Sequence, residues 1–454
     1  MTTTSGLLRR AAGPQIVIEA DDHRIVWYRI NEKTTFQKSG KTADVASFVV
    51  GDHVNVDSTE DEQGYLTAMS VTFEKAGTPA EKAAAAQTWD LPRLQGKQAA
   101  SSSTPSSPQR APGDERPVLR RKSEEPAKET ASQNAPAKET AAATPEEPVD
   151  TRPTTTVRPQ DPPRDQDDPG PPALRHGGPA PHRPSARAST SGGESSGGPV
   201  ILSKPAEPEP KADTGQQVVA EDDPVIAKAR EVAASFAGSL PNFFCQQVTT
   251  RYQSDHPKQG WDPVDVVTAE VAYENGRESY KNIRIGNKST NKPMEDIEGT
   301  RSTGEFATIL EDLLSPTTAA QFRRKGQDTI HGRATWVYKY EVTRERSHWR
   351  IEAPSQLYYP AYQGTVWIDQ ETGRALRIEQ QSRNMPLLFP FDTVETATDY
   401  DFVRLSTPEP FLLPVDAEVL SCVRGTNTCM RNRIEFRNYR KFGAESNVTF
   451  DGKQ

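Results

Sequence analysis

No Phe, Trp or Tyr occurs between Trp89 and Phe236. A stretch that long without aromatics cannot bury enough apolar surface to offset the entropy of ordering its backbone, which excludes a packed core there. The same region holds roughly two-thirds of the chain's 38 prolines, between Pro79 and Pro210. Long apolar runs are also lacking: nothing in the 454 residues approaches the ~20 that a membrane-spanning helix needs. The opening residues, MTTTSGLLRRAAGPQIVIEA, have no apolar leader segment, because Leu7-Leu8 is followed at once by Arg9-Arg10. A basic surplus is missing at both ends. Residues 1–80 carry 8 Lys and Arg against 11 Asp and Glu, and residues 223–454 carry 29 against 31. Binding to nucleic-acid phosphates needs the opposite balance, so no nucleic-acid partner is expected.

Catalytic and metal-binding patterns are lacking as well. The seven histidines are His23, His53, His176, His182, His256, His331 and His348, and no two have HExxH or other ligand spacing. Gly193-Glu194-Ser195-Ser196-Gly197 matches GxSxG, but that motif works only on a strand-to-helix elbow, and this copy sits in low-complexity sequence. Asp369 and Glu371, two apart beside Gly373, read as turn residues rather than an acid–base pair. Gly286-Asn287-Lys288-Ser289-Thr290 lacks the glycine spacing of a phosphate loop. No catalytic, cofactor-binding or metal-ligating residue is assigned, and the chain reads as non-enzymatic with no cofactor.

What is present divides the chain into a disordered N-terminus (1–14), a small β-barrel (15–75), a disordered Pro/Ala/Ser/Glu-rich linker (76–222) and an α+β domain (223–454). The linker repeats PAKETA at Pro126 and Pro136 and contains SSSTPSSP and STSGGESSGG, the composition of a spacer or tether. It predicts two independently folding domains, with proteolysis first between about Lys97 and Lys211.

In the first domain, Ile16–Ile18, Ile25–Ile30, Phe48–Val50, Val54–Val56 and Leu66–Phe73 read as short strands separated by Asp21-Asp22, Gly51-Asp52 and Gly64. Several short strands in about sixty residues are most economically closed into a barrel, which removes the exposed edges. In the second, Asp223-Pro224 opens a helix with an apolar stripe at Ile226, Ala229, Ala233, Phe236 and Leu240, and Gly238 near its end reads as a C-cap. A second helix is read over Glu305–Leu314, stopped by Ser315-Pro316. The remainder reads as antiparallel strands. Asn275-Gly276 marks a hairpin between Val266–Tyr273 and Arg277–Ile285. Trp336, Tyr338, Tyr340 and Val342 share one face of a strand, and the last strand is read at Asn447–Phe450.

The stretch VVGDHVNVDSTEDEQGYLTAMSV resembles small OB-like barrel domains of unknown function in bacterial secreted proteins. From Asp223 onward, the phrases GTVWIDQETGRALRIEQQ, FLLPVDAEVLSC and RIEFRNYRKFGAESNVTF resemble the LolA/LppX/RseB-like superfamily of bacterial envelope proteins. That resemblance implies a curved antiparallel half-barrel closed by about two helices, a periplasmic or secreted location with a signal peptide upstream of this start, and lipid, lipoprotein or other envelope proteins as partners. The alternative address is the cytoplasm. It also implies an apolar ligand face, placed at Trp336, Tyr338 and Tyr340 opposite Phe236. The alternatives are an adaptor whose face is completely filled, and a cell-wall enzyme with an unrecognised site.

Cysteine is scarce, at three residues. In Cys422-Val423-Arg424-Gly425-Thr426-Asn427-Thr428-Cys429, a two-residue turn at Gly425-Thr426 sets Cys422 opposite Cys429. Directly opposed antiparallel residues lie within disulfide range, so a bridge and an oxidising compartment are expected. Cys245, beside Phe243 and Phe244, is left as a buried free thiol.

Overall fold

The computed structural model describes residues 1–87, 152–158, 223–405 and 408–442. The PAKETA repeats, the Gly193–Gly197 match, His176, His182 and the strand read at Asn447–Phe450 lie outside the described residues. From the N-terminus come β1 (Thr2–Ala12), β2 (Gln15–Ala20), β3 (Ile25–Arg29), β4 (Thr35–Lys38), β5 (Lys41–Thr42), β6 (His53–Glu60), β7 (Leu66–Lys75), α1 (Pro79–Ala85) and β8 (Thr154–Thr156). After Asp223 follow α2 (Pro224–Ala234), α3 (Phe236–Ser239), β9 (Phe243–Ser254), β10 (Asp262–Glu274), β11 (Arg277–Ile285), β12 (Lys288–Ser289), β13 (Arg301–Thr303) and α4 (Thr308–Leu314). The chain continues through β14 (Gln321–Ile330), β15 (Arg333–Val342), β16 (Arg350–Ala353), β17 (Gln356–Tyr358), β18 (Ala361–Asp369) and β19 (Ala375–Arg383). It ends with β20 (Phe391–Val403), β21 (Phe411–Val423) and β22 (Cys429–Lys441).

These strands form two 11-stranded sheets. The second runs β12-β11-β10-β9-β22-β21-β20-β19-β18-β15-β14, and every neighbour in it is antiparallel. Its turns follow from local chemistry. Asn275 and Gly276, at φ of 52° and 79°, make the left-handed pair a tight hairpin requires, and His331-Gly332 does the same at 48° and 79°. Asp223 caps α2 by accepting from the Val225 amide at 2.8 Å, with Pro224 in the first turn. That helix breaks at Ser235, so Gly238 lies inside the short α3 and is not the C-cap the sequence suggested. The second helix starts only at Thr308, three residues later than read, because Gly304 at φ of 100° holds the preceding turn.

The first sheet runs β13-β8-β16-β17-β3-β2-β1-β6-β7-β4-β5. Within it the pairings make a circuit: β1 joins β2 and β6, β2 joins β3, β6 joins β7, and β7 returns parallel to β3 at Arg29 and Thr67. Leu8, Ile16, Ile18, Tyr28, Val54 and Val56 belong to one buried cluster there.

Four sequence expectations are corrected. Residues 2–12 are a strand, not a disordered terminus: Thr2–Leu7 pair with β6, and Gly6 lets the Glu19 carbonyl approach to where a Cβ would lie 2.2 Å away. Phe48–Val50 is not a strand, because the Asp44-capped turn at Val45–Ser47 leads straight into Gly51. The span assigned to linker contains α1 and β8. Thr78 and Glu81 form a reciprocal capping box at the start of α1. The buried Arg9 donates to the Ala85 and Gln87 carbonyls at its end, at 3.2 and 2.9 Å. Finally, the two ends of the chain are not separate domains. Strand β17 pairs with β3, Leu357 packs with Val17, Ile25 and Trp27, and the buried Arg24 donates to Gln356 at 2.6 Å. All described residues fall within one compact unit.

Candidate ligand-binding faces of the C-terminal sheet

Alternation along β15 sends Tyr338, Tyr340 and Val342 to one face, where all three are buried, while Lys339 and Glu341 are exposed. Helices α2 and α4 cover this face, and Phe236 packs with Tyr338 and Tyr340 in the largest apolar cluster. The Tyr338 hydroxyl donates to Asp223 Oδ2 at 2.9 Å, so one carboxylate both caps α2 and ties it to the sheet. Burial, then the Asp223 hydrogen bond, holds the Tyr338 hydroxyl well above its ordinary range. Tyr340 donates to the Glu379 carbonyl at 2.7 Å, over Gly364, where a Cβ would sit 2.5 Å from its hydroxyl. Trp336 lies at the margin, half-buried, with the Arg324 guanidinium 3.4 Å above its ring. Three of the four residues read as an apolar face thus meet in one cluster, Tyr338 and Tyr340 from β15 and Phe236 from α3, and Trp336 flanks them. Tyr338→Phe should cost about 1.5–3 kcal/mol, one hydrogen bond to a carboxylate. Amide exchange should speed up across α2 while β15 stays protected.

A pair of acids, which sequence reading missed, lies at the other end of the sheet. Glu305 precedes α4 and is buried; Glu278 is half-buried on β11. Glu278 accepts from the Tyr280 hydroxyl at 2.9 Å and from the Gly304 amide, while Ser302 donates to Glu305. Burial, then the charge of Glu305, pushes the Glu278 carboxyl up to about 8, and burial raises Glu305 as well. Tyr280 and Tyr400 are raised by burial first and by this pair next. The two acids stand 27 positions apart on different elements, a separation at which composition and motif carry no signal. Nearby, Arg251 forks onto Asp265 and donates to the Glu298 carbonyl, and Asn432 donates to the Thr300 carbonyl, around a cavity of about 30 Å³.

On the opposite face of the same strands is an open cleft of about 350 Å³ lined by Phe244, Gln246, Glu270, Arg284, Asn438 and Arg440, among others. Two asparagines create it. Asn282 and Asn438 have φ of 52° and 56°, and the register of β11 against β10 and of β22 against β9 slips beside them. Asn438 donates to Gln246 at 2.9 Å across the cleft floor. Charged and amide groups of both signs line it, which suits a polar partner. Among the described residues, no group of three or more His, Cys, Asp or Glu side chains converges on a point that could hold a metal ion, and no helix is long and apolar enough to cross a membrane.

Cys422 and Cys429 are directly opposed on β21 and β22 and form a disulfide. The turn between them is longer than the two-residue form: the Val423 amide donates to the Thr428 carbonyl, and Gly425, at φ of 73°, is the third residue of a turn closed by Thr426 N–H on Val423. Arg424 is drawn away to the Phe389 and Pro390 carbonyls at 2.8 Å each, which opens the loop. Cys245 is a free, buried cysteine whose thiol burial pushes up to about 12, which disfavours the nucleophilic thiolate. Replacing both Cys422 and Cys429 with Ser should cost about 2 kcal/mol, as loop-closure entropy returns to the unfolded chain. Urea unfolding of the oxidised and double-Ser forms measures it.

No family model and no curated protein matches the chain. Solved structures similar to it include a LolA superfamily protein from Nitrosomonas europaea, 10% identical over 48% of this chain and 93% of that one, TM-score 0.23. A DUF1329 family protein from Desulfovibrio piger is 7% identical over 49% and 95%, TM-score 0.25. The lipoprotein LppX from Mycobacterium tuberculosis is 12% identical over 50% and 100%, TM-score 0.20.

Proposed function

We propose that this is a non-enzymatic binding protein of the bacterial cell envelope, periplasmic or secreted. In this reading, its C-terminal half-barrel takes an apolar ligand or a lipidated partner against the face of Tyr338, Tyr340 and Phe236. The observation that carries it is the cover. An extensive aromatic face is covered by α2 and α4 together with Ile351, Ala353 and Tyr358 of the first sheet, and α2 is tied to that face through Tyr338 and Asp223. Lifting α2 exposes apolar and aromatic surface of the kind ligand pockets use. The disulfide supports an oxidising compartment. The circuit of pairings through β1, β2, β3, β7 and β6 supports a small OB-like barrel at the N-terminal end, which we assign as an interaction module. A second reading, an adaptor with a filled aromatic core, draws on the polar cleft beside Asn282 and Asn438 as its contact surface. Fatty acids and mild detergents separate the two. The carrier reading expects a thermal shift and a change in tryptophan emission; no response in either supports the adaptor.

A further inference from the structure

Strand β8 has an unusual place in the fold. Residues 152–158 lie amid the Pro-rich sequence, yet they are inserted between two strands of the folded body. Thr154–Thr156 run antiparallel to Thr303–Arg301 on one side and parallel to Arg350–Glu352 on the other. The Arg350 amide donates to the Pro153 carbonyl at 2.9 Å, and the Val157 amide to the Glu352 carbonyl at 2.7 Å. Pro153, Thr155 and Val157 are buried on one side of the strand, and Thr156, 2% exposed, on the other. Pro153 is buried, with its Cα 3.4 Å from where a Cβ on Gly304 would stand. Thr155, 2% exposed, accepts from the Trp349 indole at 3.0 Å. Val157, fully buried, joins the main apolar cluster. Arg152 donates to the Tyr359 hydroxyl at 2.6 Å at the entrance.

Main-chain bonds to both neighbours, with side chains buried on both sides of the strand, are the anatomy of a site that binds peptides by strand addition. We propose that the slot between β13 and β16 is such a site, with specificity for an extended Pro-x-Thr-Thr-Val peptide, and that residues 152–158 are its tethered occupant, exchangeable for a peptide of the same chemistry supplied in trans. The tether gives the internal copy a high effective concentration, so an outside peptide competes with it. Weakening the internal copy therefore tightens binding from outside.

The probe is a fluorescent peptide of residues 150–160, titrated into the full-length chain, into Thr155→Val, and into a chain with residues 152–158 replaced by Gly and Ser. Thr155→Val keeps the shape of the side chain and removes the acceptor for Trp349, so it preserves the fold if the Gly/Ser chain does not. Thr155→Val should bind the peptide about 3- to 10-fold more tightly than the unaltered chain, the equivalent of one hydrogen bond lost by the competitor. A peptide carrying Val157→Asp should not bind. The proposal is overturned if Thr155→Val binds the native peptide no better than the unaltered chain does, or if the Val157→Asp peptide binds equally well.

Discussion

Stability should fall as pH rises from about 5 to about 8, with Glu278 as the principal cause. An ordinary glutamate titrates near 4.5, and in the folded protein Glu278 is pushed up to about 8 by burial and by Glu305. Between those values the folded state holds a proton that the unfolded state has released. Each pH unit across the window then costs at most about 1.4 kcal/mol, and the full contribution is present only below the unfolded value. The other shifted groups active here act in the same direction. Glu305 and Asp416 are raised mainly by burial, and His348 is raised mainly by its hydrogen bond to Asp312, so its stabilisation is also lost with rising pH. The lowered carboxyls of Asp369, Asp57 and Glu81 act only below this window, where their stabilisation is lost as pH falls. Equilibrium unfolding at pH 5, 6.5 and 8 measures the slope. Glu278→Gln keeps the size of the side chain and one acceptor oxygen, cannot titrate, and should remove most of the slope; a slope unchanged in that variant would assign the effect elsewhere.

Trp349→Ala should be the most damaging single truncation, at about 3–5 kcal/mol. Trp349 is among the largest fully buried side chains, meets Tyr362 edge-on at 5.6 Å, and spends its one donor on Thr155. Its loss opens a cavity and orphans the Thr155 hydroxyl together. Trp349→Phe retains most of the volume and should cost markedly less. Urea unfolding ranks the two variants, and amide exchange at Val157 reports whether β8 leaves its slot. Equal costs for Ala and Phe would mean that the hydrogen bond outweighs the packing.

Much of the second sheet was legible because its signals are local. Asn275-Gly276 and His331-Gly332 supply left-handed turn residues in adjacent pairs, Asp223-Pro224 starts a helix in two residues, and Cys422 and Cys429 stand close enough for one turn to set their register. The aromatic side of β15 followed from alternation alone, although Trp336 proved marginal. The turn between the cysteines was misread because Arg424 answers to Phe389 and Pro390, which no local rule weighs. Non-local pairings escaped in the same way. Thr2–Ala12 lacks a clean alternation, since a bulge between Leu8 and Arg10 interrupts it. Thr154–Val157 carries β-branched residues, but its prolines and its aromatic-free surroundings argued for an open chain. The meeting of Glu278 and Glu305, and of β3 with β17, is decided by tertiary placement.

The first sheet also sets the order in which the molecule can assemble. Arg24 and Gln356, which touch across it, are 332 positions apart. Strand β8 has no neighbours until β13 and β16 have both formed, and β17 has none on its far side until β3 is in place. Closing such a long loop must precede any reward from the contacts it brings, so the pairing of β17 with β3 should form late, after the local hairpins of both sheets. A chain emerging from synthesis would leave the Ile25–Val26 edge of β3 without its β17 partner until residue 357 arrives, and mispairing between copies should concentrate in that interval.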